Sequence, residues 1–187
     1  MLLVGAGGHA MMLREILQAR GDRVTAYVDP VTADWLPDEE QIESDNGVDV
    51  TKYDGFAMGI GGIDPKSLSL RTTLFEKFFA TDLAAPTIAH PSATVSKSAL
   101  LGHGSCTFAQ AVVQPNVTVG EAVIINTGAI VEHSAIIGTG THVAPGSVIL
   151  ADVEVGRNVM IGSGAVVLPG SIVPDATLVP SNTRFPK

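Results

Sequence analysis

From Ile88 to Thr183 the chain reads IAHPSA TVSKSA LLGHGS CTFAQA VVQPNV TVGEAV IINTGA IVEHSA IIGTGT HVAPGS VILADV EVGRNV MIGSGA VVLPGS IVPDAT LVPSNT, which is sixteen consecutive hexads. The second residue of each hexad is Val, Ile or Leu, except at Ala89 and Thr107, and the sixth is always Ala, Ser, Thr or Val. A short fixed period with one aliphatic and one small residue is typical of a β-solenoid.

A second period predicts the shape of the solenoid. Gly102, Gly120, Gly138 and Gly156 each occupy the third place of a hexad, and each lies three hexads from the next. Three hexads therefore form one coil, and the solenoid has three flat sides with the aliphatic residues stacked inside. We expect the small sixth residues to fit the tight corners. At about 4.8 Å per strand, the sixteen hexads form a stack of roughly 25 Å.

Composition and charge limit the function. The net charge of the 187 residues is −8, and 14 acidic but only 7 basic residues precede Ile88. An acidic chain is a poor candidate for binding nucleic acid. No apolar run is long enough to cross a membrane and no secretory signal is visible, so we expect no membrane insertion. Cys106 is the only cysteine, which excludes an intrachain disulfide and favours a cytoplasmic location.

The first residues carry a β-α-β pattern. Residues 2–4 are predicted as a strand, 11–20 as a helix and 24–28 as a second strand. The turn between the first strand and the helix is GAGGHA at 5–10, a G-x-G-x-x-A pattern, and Asp29 directly follows the second strand. Such glycines let the backbone approach a phosphate at the helix N-terminus, and the acid can hold a ribose or a base. A tight strand-to-helix turn without a ligand is the alternative.

A third strand from Gly55 to Ile60 and a helix from about Pro65 to Phe79 are predicted to complete this unit. We expect residues 30–54 to form a variable surface connection. The unit is too short for both halves of a dinucleotide fold, so a mononucleotide diphosphate fits it better than NAD. The sequence therefore predicts an α/β, Rossmann-like βαβαβ half-domain at residues 1–87, followed by an all-β solenoid at residues 88–187.

The histidines of the solenoid are notable because the packing of a solenoid requires none. His103 and His133 share the fourth hexad place on different sides, and His142 opens a hexad on the third side. This spacing separates the three or more ligands that zinc needs, so we predict no metal site. His133 is the strongest catalytic candidate, since a fourth-place residue faces solvent or a neighbouring subunit and a neutral imidazole suits general-base work. A surface histidine at a turn is the alternative.

The chain resembles the sialic-acid and UDP-amino-sugar acetyltransferases, a family of hexapeptide-repeat acyltransferases. The resemblance covers nearly the whole chain and rests on GAGGHA at 5–10, YVDP at 27–30, IAHPSATVS at 88–96 and INTGAIVEHSAIIGTGTHVAPGS at 125–147. It implies a nucleotide-sugar-binding domain at 1–87 and a left-handed parallel β-helix acetyltransferase domain at 88–187. It also implies a homotrimer, with acetyl-CoA as co-substrate lying along the solenoid between adjacent subunits and no metal.

The resemblance also assigns roles to individual residues. His133 falls on the general base of the family, and His142 falls on a histidine that contacts the acetyl group or the cofactor. Gly146 and Ala151 fall on acetyl-CoA-binding positions, and an amide at Ala151 helps to form an oxyanion hole. The implied substrate-binding residues are Gly7, Gly8 and His9 at the diphosphate turn, Asp29 near the nucleoside, and Asn126 beside the base.

Several positions differ from the family pattern. Ser134 stands where relatives carry an acid that orients the base, and Pro30 stands where many carry a second aspartate. Ala151 replaces a glycine, although its backbone N–H is retained. The ending PSNTRFPK replaces the usual Gly-Val-Pro-Ala ending, and Arg184 and Lys187 are candidates for contacts with the phosphates of CoA.

These features predict an acetyl-CoA-dependent N-acetyltransferase acting on the amine of a UDP- or GDP-linked 4-amino-4,6-dideoxy sugar. The amine would attack directly, with His133 as the general base. O-acetylation of a sialic acid or a related sugar is the second hypothesis. A non-catalytic solenoid or nucleotide-binding protein and a trimeric metalloenzyme resembling carbonic anhydrase are the alternatives from other classes.

Overall fold

The N-terminal unit is built on a four-stranded parallel sheet in the computed structural model, which describes residues 1–186. Its elements are β1 (Leu2–Val4), α1 (Gly8–Ala19), β2 (Ala26–Val28), β3 (Glu40–Ile42), a 3-10 turn (Val50–Lys52), β4 (Phe56–Met58) and α2 (Pro65–Phe79). The strands lie in the order β3-β2-β1-β4. The three-residue strands β1, β2 and β4 are buried along their whole length, as is usual when helices or another layer cover both faces of a parallel sheet.

The structure contains the predicted strands and helices and adds one strand, but α1 begins at Gly8 rather than at Met11, so the last three residues of the predicted turn GAGGHA already belong to the helix. The helix predicted from Pro65 to Phe79 has those bounds, and Asp64 caps it by accepting a hydrogen bond from the Ser67 amide at 2.8 Å. The connection at residues 30–54 also contains β3, which pairs in parallel with β2. The segment Glu-Gln-Ile holds a single aliphatic residue, so its extended conformation comes from pairing with β2 rather than from a local pattern.

From Ile88 onward, the first two residues of each hexad form a strand that pairs in parallel with the strand three hexads away, as Ile88 does with Cys106. The predicted three flat sides are therefore confirmed, as three stacked parallel sheets. The strands, β5 to β21, are Ile88–Ala89, Thr94–Val95, Leu100–Leu101, Cys106–Thr107, Val112–Val113, Thr118–Val119, Ile124–Ile125, Ile130–Val131, Ile136–Ile137, His142–Val143, Val148–Ile149, Glu154–Val155, Met160–Ile161, Val166–Val167, Ile172–Val173, Leu178–Val179 and Arg184–Phe185.

Every third strand belongs to the same face of the solenoid. The first face comprises β5, β8, β11, β14, β17 and β20, and the second comprises β6, β9, β12, β15, β18 and β21. The third face comprises β7, β10, β13, β16 and β19, and the column of third-place glycines follows its strands. The stacked sheets fit a left-handed parallel β-helix, and the α/β unit fits a Rossmann-like half-domain.

The interior of the solenoid is filled by the second and sixth places of the hexads. Ile149 and Val143 are second-place residues with no exposed surface, and Ala129 and Ala135 are equally buried sixth-place residues. Burying one Val or Ile side chain contributes about 1.5–3 kcal/mol. The left-handed backbone of each corner lies one place earlier, at the fifth residue of every hexad from Gly104 to Asn182. The small sixth residues lie directly after these corner residues and inside the coil.

The N-terminal unit covers the first face of the solenoid. Helix α1 packs against β5, and the outward-facing residues Ile88, Cys106 and Ile124 share a buried cluster with Leu13 and Leu17 of that helix. Burial raises the pKa of the Cys106 thiol to about 11, which keeps it protonated and unreactive. Within residues 1–186, no helix is both long enough and apolar enough to cross a membrane.

Candidate active site

The turn after β1 is held open by two glycines. Gly5 has a φ of +90°, and a Cβ there would overlap the side chain of Ile60. Gly59 lies so close to the carbonyl of Gly5 that it also has no room for a Cβ. These contacts hold the ends of β1 and β4 together and direct the backbone of residues 5–8 into the start of α1.

Gly7 and Gly8 have a different role from Gly5 and Gly59. Both are exposed, and a Cβ on either would meet no atom within 4 Å. Gly7 is the N-cap of α1 and supplies no side-chain hydrogen bond to the helix. The first N–H groups of a helix have no intrahelical acceptors, and their partial positive charge favours an anion. The packing of the fold therefore does not require glycine at these two positions, and the backbone there is open to solvent.

Asp29 braces the same turn from the end of β2. One of its carboxylate oxygens accepts the Ala6 amide at 2.9 Å, and the other accepts the Val31 amide, also at 2.9 Å. A cavity of about 220 Å³ lies beside it, lined by Val4, Gly5, Val28, Asp29, Pro30, Glu43, Ser44, Asp45, Ile60 and Leu74. The predicted contact of Asp29 with a nucleoside would therefore use a carboxylate that already bonds backbone amides.

His9 points from the first turn of α1 toward the solenoid. Its ring lies 5.3 Å from the ring of Phe108, and its Nε2 is buried without a hydrogen-bond partner within the described residues. Burial lowers the pKa of His9 to about 3, and the charges of Arg71 and His142 act in the same direction. The ring is therefore neutral at physiological pH and does not supply positive charge to a phosphate.

His142 links the two parts of the chain. It lies on the first face, is 7% exposed, and places Nδ1 2.7 Å from the carbonyl oxygen of Gly62, in the loop between β4 and α2. Its Nε2 lies 2.9 Å from Nδ2 of Asn126. Burial lowers the pKa of His142, the bond to Gly62 opposes this shift, and the charge of Arg71 reinforces it. A contact between this ring and an acetyl group would require one of the two hydrogen bonds to break.

Arg71, which no motif in the sequence indicates, is only 1% exposed. Its Nε donates to the Ile60 carbonyl at 2.8 Å, and Nη1 donates to the Ala122 carbonyl of the solenoid. Burial lowers the pKa of this guanidinium, and within residues 1–186 no carboxylate forms an ion pair with it. In the sequence, Arg71 falls between Leu68 and Phe75 on the apolar side of the predicted helix, and this position indicates that the side chain is buried.

His133 lies on the other side of the solenoid, at the corner between the second and third faces. Its ring is exposed, and Nδ1 lies 3.4 Å from the Ser134 hydroxyl. Ser134 has a φ of +62°, the left-handed corner conformation. Ala151 occupies the same corner one coil further on, and the neighbouring Asp152 amide donates to the His133 carbonyl at 3.2 Å. The predicted base and the predicted oxyanion residue are thus adjacent.

The predicted site residues therefore form two groups within one chain. Asn126, His142 and His9 meet where the N-terminal unit covers the first face, whereas His133 and Ala151 share the opposite corner. Gly146 is exposed at the corner between the first and second faces, with open space beside it. No metal-binding group of three or more His, Cys, Asp or Glu side chains occurs in residues 1–186. Arg184 is exposed in β21, and Lys187 lies outside the described residues.

This architecture is similar to that of known proteins. A family model, described as bacterial transferase hexapeptide (six repeats), matches residues 134–169. The acetyltransferase domain of PglB from Neisseria gonorrhoeae superposes with a TM-score of 0.88 at 26% identity, over 98% of this chain and 89% of that one. Its complex with acetyl coenzyme A gives 0.85 at 26% identity, over 97% and 87%. No curated protein matches the chain by sequence.

PerB from Caulobacter crescentus, in complex with CoA and GDP-perosamine, superposes with a TM-score of 0.86 at 30% identity. The match covers 98% of this chain and 87% of that one. The fold is thus that of a hexapeptide-repeat protein with an α/β unit docked on its solenoid. The chain belongs to the hexapeptide-repeat transferase family, and it is an acyltransferase.

Proposed function

We propose that the chain transfers the acetyl group of acetyl-CoA to the amine of a nucleotide-linked 4-amino-4,6-dideoxy sugar. The observation that carries this proposal is the open start of α1, where Gly7 and Gly8 leave space that the fold does not need. Support comes from PglB, whose acetyltransferase domain is known with acetyl coenzyme A, and from PerB, known with CoA and GDP-perosamine.

In this proposal the diphosphate binds the N–H groups at the start of α1. The nucleoside enters the cavity beside Asp29 and Pro30, and the sugar extends toward Asn126. Neutral His9 and His142 line the interface behind Asn126 without attracting anions of their own. Backbone amides and the dipole of α1 therefore supply the attraction for the phosphates, in a unit that is otherwise acidic.

The chemical step is a direct transfer from sulfur to nitrogen. The neutral sugar amine attacks the carbonyl carbon of the thioester, the C–S bond breaks, and the sulfur leaves as CoA. His133 accepts the proton that the amine loses as the C–N bond forms, and the amide of Ala151 donates to the oxyanion. The protonated His133 then gives this proton to the leaving thiolate, which regenerates the base. Gly146 lies along the path of the cofactor. The products are the N-acetylated sugar and CoA thiol, and no metal is required.

The separation of His133 from Asn126 within one chain supports a homotrimer with the site between subunits. The second and third faces, which the N-terminal unit leaves uncovered, meet at the corner that carries His133. The outward residues of the third face are exposed along the whole sheet, and they include the aliphatic residues Leu100, Ile136 and Ile172, so this face is free to contact another copy. A neighbouring copy docked there would bring its own N-terminal unit to His133. Sedimentation velocity measures the number of subunits directly.

The function is tested by measuring thiol release from acetyl-CoA with a panel of UDP- and GDP-linked 4-amino sugars and with free sialic acid. We expect turnover on one amino sugar, reduced about 100-fold in kcat in His133→Ala, as removal of a general base predicts. His103→Ala, which removes a second exposed solenoid histidine, is the matched control and should retain full activity. Acetylation of sialic acid alone, or equal rates in the two variants, would contradict the proposal.

A further inference from the structure

An unbroken chain of hydrogen bonds joins the N-terminal unit to the proposed sugar site. The Gly62 carbonyl bonds Nδ1 of His142 at 2.7 Å, and Nε2 of His142 bonds Nδ2 of Asn126 at 2.9 Å. The other end of the Asn126 amide, Oδ1, accepts the backbone N–H of Thr127 at 2.8 Å. Gly62 and His142 are 80 residues apart in the sequence, so this series of hydrogen bonds exists only when the N-terminal unit is docked on the solenoid.

The groups at the two ends of this series of hydrogen bonds determine the position of every proton within it. Thr127 N–H can only donate, so Asn126 must turn Oδ1 toward it and Nδ2 toward His142. A carbonyl oxygen can only accept, so the proton of the imidazole is on Nδ1, facing Gly62. Nε2 then carries a lone pair that accepts from Asn126. A neutral Nδ1–H ring is the single assignment that satisfies all three bonds.

We propose that His142 is a positioning residue that, together with the Thr127 N–H, holds the Asn126 amide in a single orientation, and that the Gly62 carbonyl links this arrangement to docking of the N-terminal unit. This inference rests on the proposed function, in which Asn126 contacts the sugar. It gives His142 a role other than the cofactor contact that the family resemblance implies. A protonated ring would place an N–H against the Asn126 NH₂ group. Rotation of that amide would only move the conflict to Thr127.

The charges around His142 favour the neutral ring. The titratable groups that face it are Arg71 from α2 and His9 from α1, and the adjacent strands present Ile124 and Met160. Arg71 is cationic and His9 is neutral, so no anion is present to stabilise an imidazolium. The hydrogen bonds to Gly62 and Asn126 require a neutral His142 ring, and the absence of a facing anion keeps the ring neutral.

The decisive experiment is ¹⁵N NMR of the histidine rings in the full-length protein at pH 7. We expect His142 to carry its proton on Nδ1, with a bare Nε2. In Asn126→Asp a carboxylate replaces the N–H donor, so we expect the ring to take a second proton at the same pH. Asn158→Asp is the matched control, because Asn158 accepts a hydrogen bond from Thr72 elsewhere in the domain interface and should leave His142 neutral.

Kinetics with His142→Phe, which retains an aromatic ring, distinguishes a role in positioning Asn126 from a direct contact with acetyl-CoA. A positioning role predicts that KM for the amino sugar rises at least 10-fold while KM for acetyl-CoA is unchanged. An effect confined to acetyl-CoA would overturn the inference, as would an Nε2–H ring in the wild type or a neutral ring in Asn126→Asp. The NMR result requires no substrate, so an inactive enzyme would count against the proposed function and leave this test decisive.

Discussion

Acid should destabilise the fold through a partly buried histidine, His9. His9 is held between α1 and the solenoid with Nε2 unpartnered, and burial lowers its pKa from 6.5 to about 3. Arg71 from α2 and His142 from the first face are the titratable groups that face it, and both act in the same direction. Below pH 6.5 the unfolded chain therefore binds a proton that the folded chain does not, and the free energy of unfolding falls as pH falls.

The size of the effect follows from the two pKa values. Stability is fully present above 6.5 and is lost progressively between 6.5 and about 3. Within that window one proton changes the free energy of unfolding by about 1.4 kcal/mol per pH unit, which gives a loss of about 2 kcal/mol between pH 7 and pH 5. His142, whose pKa is also lowered, adds a loss of the same sign.

Urea unfolding followed by circular dichroism at pH 7 and pH 5 measures this loss. Carboxylates also titrate as pH falls, so the comparison is between the wild type and His9→Leu, which removes the titrating ring. We expect the loss between the two pH values to be about 2 kcal/mol smaller in His9→Leu. Equal losses in the two proteins would refute the reasoning, as would an NMR titration in which His9 protonates near pH 6.5.

Three further predictions concern the turn, the base and the core. Gly7→Ala should leave Tm unchanged but weaken nucleotide-sugar binding, measured by calorimetry, at least 10-fold. Gly59→Ala should unfold the protein because a Cβ at this position has no room. Equal changes in Tm for the two variants would contradict this distinction. Ser134→Asp places a carboxylate near Nδ1 of His133, and a nearby negative charge favours the imidazolium. The acid limb of the pH profile of kcat/KM should therefore move to higher pH, and an unchanged limb would count against His133 as the base. Ile149→Ala should lower the free energy of unfolding by about 2–5 kcal/mol in urea, and a loss below about 1 kcal/mol would show that the coil collapses around the cavity.

The solenoid could be predicted because its pattern is local. Each coil repeats one arrangement, so the hexad gives the strands and the group of three hexads gives the faces, without knowledge of any distant contact. The Pro65–Phe79 helix was similarly evident, since proline at its first turn and the preceding Asp64 cap form a local start signal. In contrast, β3 is extended because β2 lies beside it, which the segment Glu-Gln-Ile does not reveal.

The site was predictable as residue types but not as an arrangement. GAGGHA and the solenoid histidines identify candidates for chemistry, yet their grouping depends on how the N-terminal unit docks. The bond from His142 to Gly62 and the bond from Arg71 to Ala122 join residues 80 and 51 positions apart. Gly62 contributes only a backbone carbonyl, which no side-chain pattern could have identified. The sequence also could not show that His9 turns its ring away from the diphosphate turn.

The pairing of each strand with the strand three hexads away also determines how the length of this protein can change. A single-residue insertion that is not accommodated as a loop would shift the inward-facing places of the hexads that follow it. Removal of one whole hexad would move each later strand to a different face. Only the gain or loss of a whole coil preserves the pairing. Because every new coil needs only its immediate neighbours, the chain can lengthen by duplication of the codons for one coil, and its possible lengths form a discrete series.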